Sequence, residues 1–138
     1  MDIKGTNLQY AIFCNQFVEE HGHASILGVL DAVDVQGTVP VGSPLPRKQF
    51  PITLVLGILA SEGDHTATME IVRPSGGIVT TVDLESFNIP PGDHIHRSVV
   101  QLEIEAPEDG DYTFHVFVDG QNAGYAVLPV TFTITYDR

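Results

Sequence analysis

The sequence predicts an all-β fold, an antiparallel Greek-key β-sandwich of about eight strands that is immunoglobulin-like or jelly-roll-like. Two observations favour this class. Apolar and polar residues alternate with a period of two in most segments, which is typical of half-buried strands, and no long segment has helical periodicity. Clusters of Gly, Pro, Asn and Asp separate these segments, and many short strands without crossover helices indicate a sandwich or barrel.

The first three predicted strands cover residues 7–14, 24–34 and 49–60. The first, LQYAIFCN, has a mixed pattern. The second and third contain ASILGVLDAV and ITLVLGILA, which are apolar on both faces or nearly so. Strands with two apolar faces are covered on both sides, so we expect these two to be central strands.

The five later strands alternate cleanly between apolar and polar residues. The last contains PVTFTITYD, in which apolar and aromatic residues take every second position between threonines. This alternation predicts strands with one buried and one exposed face. The predicted strands cover residues 65–73, 77–86, 98–106, 111–119 and 123–136.

The turn EDGDY, residues 108–112, ends in a tyrosine where a strand begins. It resembles the tyrosine corner of Greek-key sandwiches, in which the tyrosine hydroxyl bonds back to a nearby backbone group. We therefore expect the Tyr112 hydroxyl to bond to the backbone close by. A plain turn followed by a half-buried tyrosine is the alternative.

Length and charge limit the classes of function. The chain has 138 residues, so we expect a single domain over residues 1–138. Its formal net charge is -12, which repels phosphate backbones and anionic lipids. We therefore expect no nucleic-acid partner and no membrane binding, although acidity by itself mostly favours solubility.

The sequence also bears on the compartment. The single Cys14 excludes an internal disulfide, and its place beside Phe13 in a strand predicts a buried, inert thiol. The start, MDIKGTNLQY, has no apolar signal core, and the longest apolar run, ITLVLGILA, is too short for a membrane-spanning helix. These features predict a soluble, cytoplasmic protein.

Two segments resemble a bacterial family of single-domain proteins of unknown function. The first is AIFCNQFVEEHGHASILGVLDAV followed by a Pro-containing loop and FPITLVLGI, and it contains an "ILGVFD"-like motif. The second is GDYTFHVFVDG, residues 110–120. The chain departs from the family pattern at Asn15, where Asp is more usual, and at His23, where Lys is more usual. The resemblance implies a β-sandwich and no known activity.

A cluster of histidines is the main candidate for chemistry. If eight strands alternate in direction, loops 15–23, 61–64, 87–97 and 120–122 share one end of the sandwich. The His-x-His pair of the DHIH segment suits chelation, because both rings of an extended His-x-His point to one side. Imidazole and carboxylate groups bind divalent transition metals, although loop histidines are also common without a metal. The candidate metal ligands are His94, His96, His21, His23, Asp64 and His65.

Three functions stay open at this point. The first is a non-enzymatic module without a cofactor that binds a protein or small ligand through loops at one end, since no catalytic motif is present and segments 35–48 and 86–97 are predicted as long loops. The second is a metal-binding protein or metal-dependent enzyme that uses the histidines. The third is a structural or assembly subunit, because sandwiches with exposed edges form homo-oligomers readily. The fold class does not choose among them.

Overall fold

The computed structural model describes residues 6–43 and 48–137 and arranges nine strands in two sheets. The prediction of an all-β sandwich is confirmed. Within the described residues, no helix is long and apolar enough to cross a membrane. The strands are β1 Asn7–Glu20, β2 His23–Val29, β3 Val33–Pro40, β4 Lys48–Leu59, β5 Gly63–Val72, β6 Ile78–Ile89, β7 Ile95–Ala106, β8 Gly110–Val118 and β9 Gln121–Asp137.

The two sheets have the strand orders β2-β1-β4-β7 and β3-β9-β8-β5-β6. Neighbouring strands in the described part of the chain are antiparallel, except that β3 runs parallel to β9, with Val33 opposite Val130. Two hairpins, β1–β2 and β8–β9, have two-residue turns. Both residues of each turn have positive φ, at His21–Gly22 and Asp119–Gly120, as a type I′ hairpin turn requires.

The predicted second strand, residues 24–34, is two strands that belong to different sheets. β2 ends at Val29, and the chain then crosses to the five-stranded sheet, where β3 begins at Val33. Leu30 and Val33 both pack against the core, so the apolar pattern continues across the crossover and hides the change of sheet. The segment 35–48, predicted as a long loop, contains β3 as far as Pro40, and residues 44–47 lie outside the described residues.

The hydrophobic core lies between the sheets, where Phe13 of β1 meets Phe114 of β8 edge-to-face with ring centroids 4.9 Å apart. The prediction that β4 is covered on both sides is confirmed, because residues 52–58 are all buried. On the outer face of β4, Val55 is fully buried although it lies outside the core cluster, and so is Cys14. The prediction that Cys14 is buried is therefore confirmed, and burial raises the pKa of its thiol.

The expectation that segment 24–34 forms a central strand is wrong. β2 is an edge strand of the four-stranded sheet, and it pairs with β1 alone in the described part of the chain. Its side chains Leu27 and Val29 are 48% and 58% exposed. Leu27 and Val29, two of the apolar residues behind the prediction of a central strand, therefore lie on the surface.

The tyrosine corner is present at the start of β8. The buried Tyr112 hydroxyl donates to the carbonyl oxygen of Glu108 at 2.6 Å, and the amide of Glu108 lies 3.2 Å from the same hydroxyl. Burial raises the pKa of this phenol, so the hydroxyl keeps the proton that it donates. The expected bond between the Tyr112 hydroxyl and the nearby backbone is thus confirmed.

Candidate functional site

Three turns, at residues 60–62, 90–94 and 119–120, lie at one end of the sandwich, which we call the histidine end. The amide of Ala60 donates to the carbonyl of His94 at 3.0 Å, and the amide of Asp119 donates to the carbonyl of Thr66 at 2.8 Å. The predicted ligands that β5, β7 and their adjoining turns place at this end are Asp64, His65, His94 and His96.

The strand directions separate the other two histidines from this end. β1 begins beside Leu59, where Asn7 pairs with it, and runs away from there to Glu20. The turn at His21 therefore follows the far end of β1, and His23 opens β2. The strand β3 was not predicted, and it reverses the direction of the chain once more between β2 and β4. The turn after β1 therefore lies at the opposite end of the sandwich from the turns after β4, β6 and β8. The predicted grouping of His21 and His23 with the other histidines loses its basis for this reason.

His65 of β5 is held on both sides of its ring. Nδ1 lies 2.6 Å from Oδ2 of Asp119, and Nε2 lies 2.7 Å from the carbonyl oxygen of Ser61. Both partners are acceptors, so the two bonds form together only in the imidazolium, in which both ring nitrogens donate. The bond to Asp119 and the bond to Ser61 raise the pKa of His65 in the same sense, against its burial. A ring in this state has no free lone pair for a metal ion.

The carboxylates around His65 also have partners within the protein. Asp64 accepts a hydrogen bond from Asn88 at 2.8 Å, and Glu62 accepts one from the amide of Gly92 at 2.9 Å. These bonds join the start of β5 and the turn before it to the end of β6 and the turn after it. The acidic groups thus fasten the turns of the histidine end to one another.

A stack of three rings completes this end of the molecule. The rings of Phe87 and His96 are parallel within 2°, with centroids 4.2 Å apart, and the ring of His65 lies 5.3 Å from Phe87 on a tilted plane. Burial lowers the pKa of His96, because the charged imidazolium loses hydration. Sequence reasoning missed Phe87, since the predicted strand 77–86 stops one residue before it, whereas β6 continues to Ile89.

The histidine end has a shallow hollow of about 400 Å³. Within residues 6–43 and 48–137, no three His, Cys, Asp or Glu side chains form a group that could hold a metal ion. Since both ring nitrogens of His65 face acceptors within the protein, His94 and His96 are the imidazoles left to bind one, whereas structural and catalytic zinc sites use three or four protein ligands. The metal site stays a prediction. The hollow is lined by Asp64, His65, Thr66, Ser86, Phe87, Asn88 and Asp119.

The edge of β2 is a second candidate site. The strand has seven residues, HASILGV, without Asp, Glu, Lys, Arg or Pro. Its outer edge has no strand partner within the described residues, and Leu27 and Val29 are exposed beside it. Natural edge strands commonly carry charges, prolines or bulges that prevent pairing with another chain. β2 has an uncharged, apolar edge that is suited to such pairing.

The other edge strands of the two sheets are β7, β3 and β6. Each contains charged residues, and β3 also ends in a proline. These are the devices that prevent edge-to-edge association. β2 therefore differs from the other described edges in chemistry. The residues concerned are Arg97, Glu103 and Glu105 of β7, Asp34 and Pro40 of β3, and Asp83 and Glu85 of β6.

A side groove of about 430 Å³ adjoins β2 at the crossover between the sheets. Its exposed apolar residues are Val29, Tyr125 and Val127. β1 pairs with β2 only from Cys14 onward, and β9 pairs with β3 only from Val130 onward. Before these residues, β1 and β9 have no strand partner on the side of the groove within the described residues. The side groove is lined by residues 8–13, 29–31 and 125–127.

The chain belongs to the family of unknown function DUF6941, whose model matches residues 9–131. The predicted membership of an uncharacterised family is thus confirmed. No curated protein matches the sequence.

Several solved structures are similar to the chain. An alkylpurine DNA glycosylase of Pseudomonas fluorescens, bound to DNA with an abasic-site analogue, matches 91% of the chain at 12% identity and a TM-score of 0.49. A putative β-galactosidase of Bacteroides fragilis matches 64% at 19% identity and a TM-score of 0.42. An immunoglobulin-like protein of Pseudomonas aeruginosa matches 92% at 12% identity and a TM-score of 0.39, over 97% of its own length. The chain spans 30% of the glycosylase and 15% of the β-galactosidase.

Proposed function

We propose that this member of the family is a non-enzymatic interaction module that binds an extended protein segment along the free edge of β2. The observation that carries the proposal is the chemistry of that edge. β2 is uncharged and apolar, whereas β3, β6 and β7 carry charged residues. A strand added to β2 would pair with backbone groups that have no strand partner in the described part of the chain.

The exposed side chains of β2 indicate what kind of segment fits. Leu27 and Val29 are both exposed on β2, on either side of Gly28, which has a φ of +67°. A partner strand with apolar residues would cover them. Val29 also lines the side groove beside Tyr125 and Val127, so a longer segment could continue into an apolar surface.

The histidine end supports a non-enzymatic module. Two of its predicted ligands are bonded within the protein, since His65 is held by Asp119 and Ser61, and Asp64 is held by Asn88. A general base or metal ligand needs a free lone pair directed at a substrate or metal ion. These bonds instead support a role in holding the turns together.

The test uses a matched pair of lysine variants of the full chain. Val29 and Ile78 are 58% and 59% exposed, on β2 and β6 respectively, so Val29→Lys and Ile78→Lys alter the surface to a similar degree. A partner captured from native cell extract is first identified and purified, and its affinity is then measured by calorimetry. We expect Val29→Lys to weaken binding by about tenfold or more and Ile78→Lys to leave it nearly unchanged. Equal affinities for Val29→Lys and the unsubstituted chain would contradict the proposal.

A further inference from the structure

We propose that the strand received by β2 is β2 of a second copy of this chain, so that two copies form a symmetric dimer. This inference rests on the proposed function of β2 as a binding edge. Antiparallel pairing of identical strands is isologous, since the same edge serves both copies. The two four-stranded sheets would then join into one sheet with the order β7-β4-β1-β2-β2-β1-β4-β7.

Full overlap of two copies of His23–Val29 determines the register. The two-fold axis then passes through Ile26, which faces its own copy, and Ser25 of each strand lies opposite Leu27 of the other. The axis is perpendicular to the sheet, so both copies present the same face. The exposed Leu27 and Val29 of both copies are thereby brought together at the joined edge.

Charge favours a second copy at this edge. The chain carries -12 overall, so two copies repel one another wherever carboxylates meet. The segment 22–30, GHASILGVL, contains no Asp, Glu, Lys or Arg, and two copies can meet there without such repulsion.

A strand of another protein that is attracted by the negative charge of this chain fits the β2 edge less well than a second copy does. An acidic protein attracts cationic partners, and their lysines and arginines pair with carboxylates. β2 contains no carboxylate along its length, whereas β6 and β7 do. The edge that is best suited to strand addition is therefore poorly suited to a basic strand.

The size of the contact sets the expected affinity. One pair of seven-residue strands and the side chains beside it form an interface smaller than the ~1,200 Å² typical of stable complexes. We therefore expect a weak dimer with a dissociation constant in the micromolar range.

Sedimentation equilibrium of the full chain over a range of concentrations is the first measurement. We expect reversible dimerisation, weakened about tenfold or more by Leu27→Lys and by Val29→Lys, and little changed by the matched Ile78→Lys. A chain that stays monomeric up to about 1 mM would overturn the inference, yet β2 would remain a candidate edge for another protein. A dimer that is unaffected by both β2 variants would also overturn it, because the interface would lie elsewhere.

Disulfide formation tests the register directly. Ser25 and Leu27 are exposed, so Ser25→Cys and Leu27→Cys leave the core intact. Directly opposed positions have Cβ atoms about 4.5–5.5 Å apart, within reach of a disulfide after small adjustment, whereas diagonal positions are about 7–8 Å apart. We expect a mixture of the two variants to cross-link about tenfold faster than either alone. Equal rates in all three samples would contradict pairing about Ile26.

Discussion

His65 and Asp119 form an ion pair that joins the start of β5 to the hairpin turn between β8 and β9. Nδ1 of His65 lies 2.6 Å from Oδ2 of Asp119, while the amide of Thr66 donates to Oδ1 of the same carboxylate at 3.0 Å. Asp119 has a φ of +52° in that turn, and the adjacent Gly120 has a φ of +80°. The Asp119 carboxylate therefore connects this turn, whose residues have positive φ, to the neighbouring strand β5.

The contribution of this pair to the free energy of unfolding is lost both at high pH and at low pH. The folded-state pKa of His65 is raised above its unfolded value of about 6.5, so its contribution is complete below that pH and is lost as the pH rises through the raised pKa. The bond from His65 lowers the pKa of Asp119 below its unfolded value of about 3.9. Its contribution is present above that value and is lost as the pH falls through the lowered pKa. We expect the pair to stabilise the fold most between about pH 4 and pH 6.5.

Calorimetric melting from pH 4 to pH 9 checks this dependence. Asp119→Asn removes the charge partner of His65, and we expect the difference in Tm from the unsubstituted chain to shrink as the pH rises. Asp83→Asn, on the exposed part of β6, is the matched control. A Tm difference for Asp119→Asn that stays constant over the whole range would show that His65 does not titrate with the pair.

The tyrosine corner should contribute to stability through one hydrogen bond. Tyr112→Phe removes the hydroxyl that donates to Glu108 and leaves that carbonyl without its partner. We expect the free energy of unfolding to fall by about 1–2 kcal/mol in urea titrations. Tyr136→Phe, at an exposed tyrosine of β9, should change it by less than about 0.5 kcal/mol. Equal effects of the two variants would argue against a structural role for the corner.

The ring stack predicts a link between Phe87 and the titration of His96. Phe87→Ala opens the stack and exposes the His96 ring to water, so we expect the lowered pKa of His96 to rise toward its usual value. The same variant should cost about 3–5 kcal/mol of stability, because Phe87 is buried. NMR titration of the histidine rings measures the pKa, and Tyr125→Ala, at an exposed tyrosine, is the control. An unchanged pKa of His96 would show that Phe87 does not shield it.

The metal hypothesis has a direct test. We expect protein purified without a tag or chelator to retain far less than one zinc or manganese ion per chain after dialysis, since both ring nitrogens of His65 already face acceptors within the protein. Elemental analysis before and after adding metal measures this. Stoichiometric metal that is lost in a His94→Ala, His96→Ala double variant would establish a site at the histidine end and contradict our expectation.

Alternation along the chain located most strands well. The strands predicted at 98–106 and 111–119 correspond to β7 at Ile95–Ala106 and β8 at Gly110–Val118. Both have one buried face, and such strands keep a period of two in their sequence. The tyrosine corner was also predictable, because both partners lie four residues apart in one turn.

The candidate sites were only partly predictable. The sequence shows that Asp64, His65, His94 and His96 are close to turns, yet it does not show that His65 is bonded to Asp119, which lies 54 residues away. Segment 24–34 has no charged residue before Asp31. This composition is typical of a central strand, but it is equally suited to an edge that binds another strand. Burial alone distinguishes the two, and burial depends on which strands lie alongside.

The sequence by itself determined the all-β class, the positions of most turns and the tyrosine corner, because these depend on local alternation and turn chemistry. Only the tertiary structure decided that the predicted second strand is divided between two sheets, that β2 is an edge and that His65 bonds to Asp119. These features depend on pairing between residues far apart in the chain. An apolar strand has the same sequence pattern whether a neighbouring strand pairs with its edge or that edge is free to bind a partner.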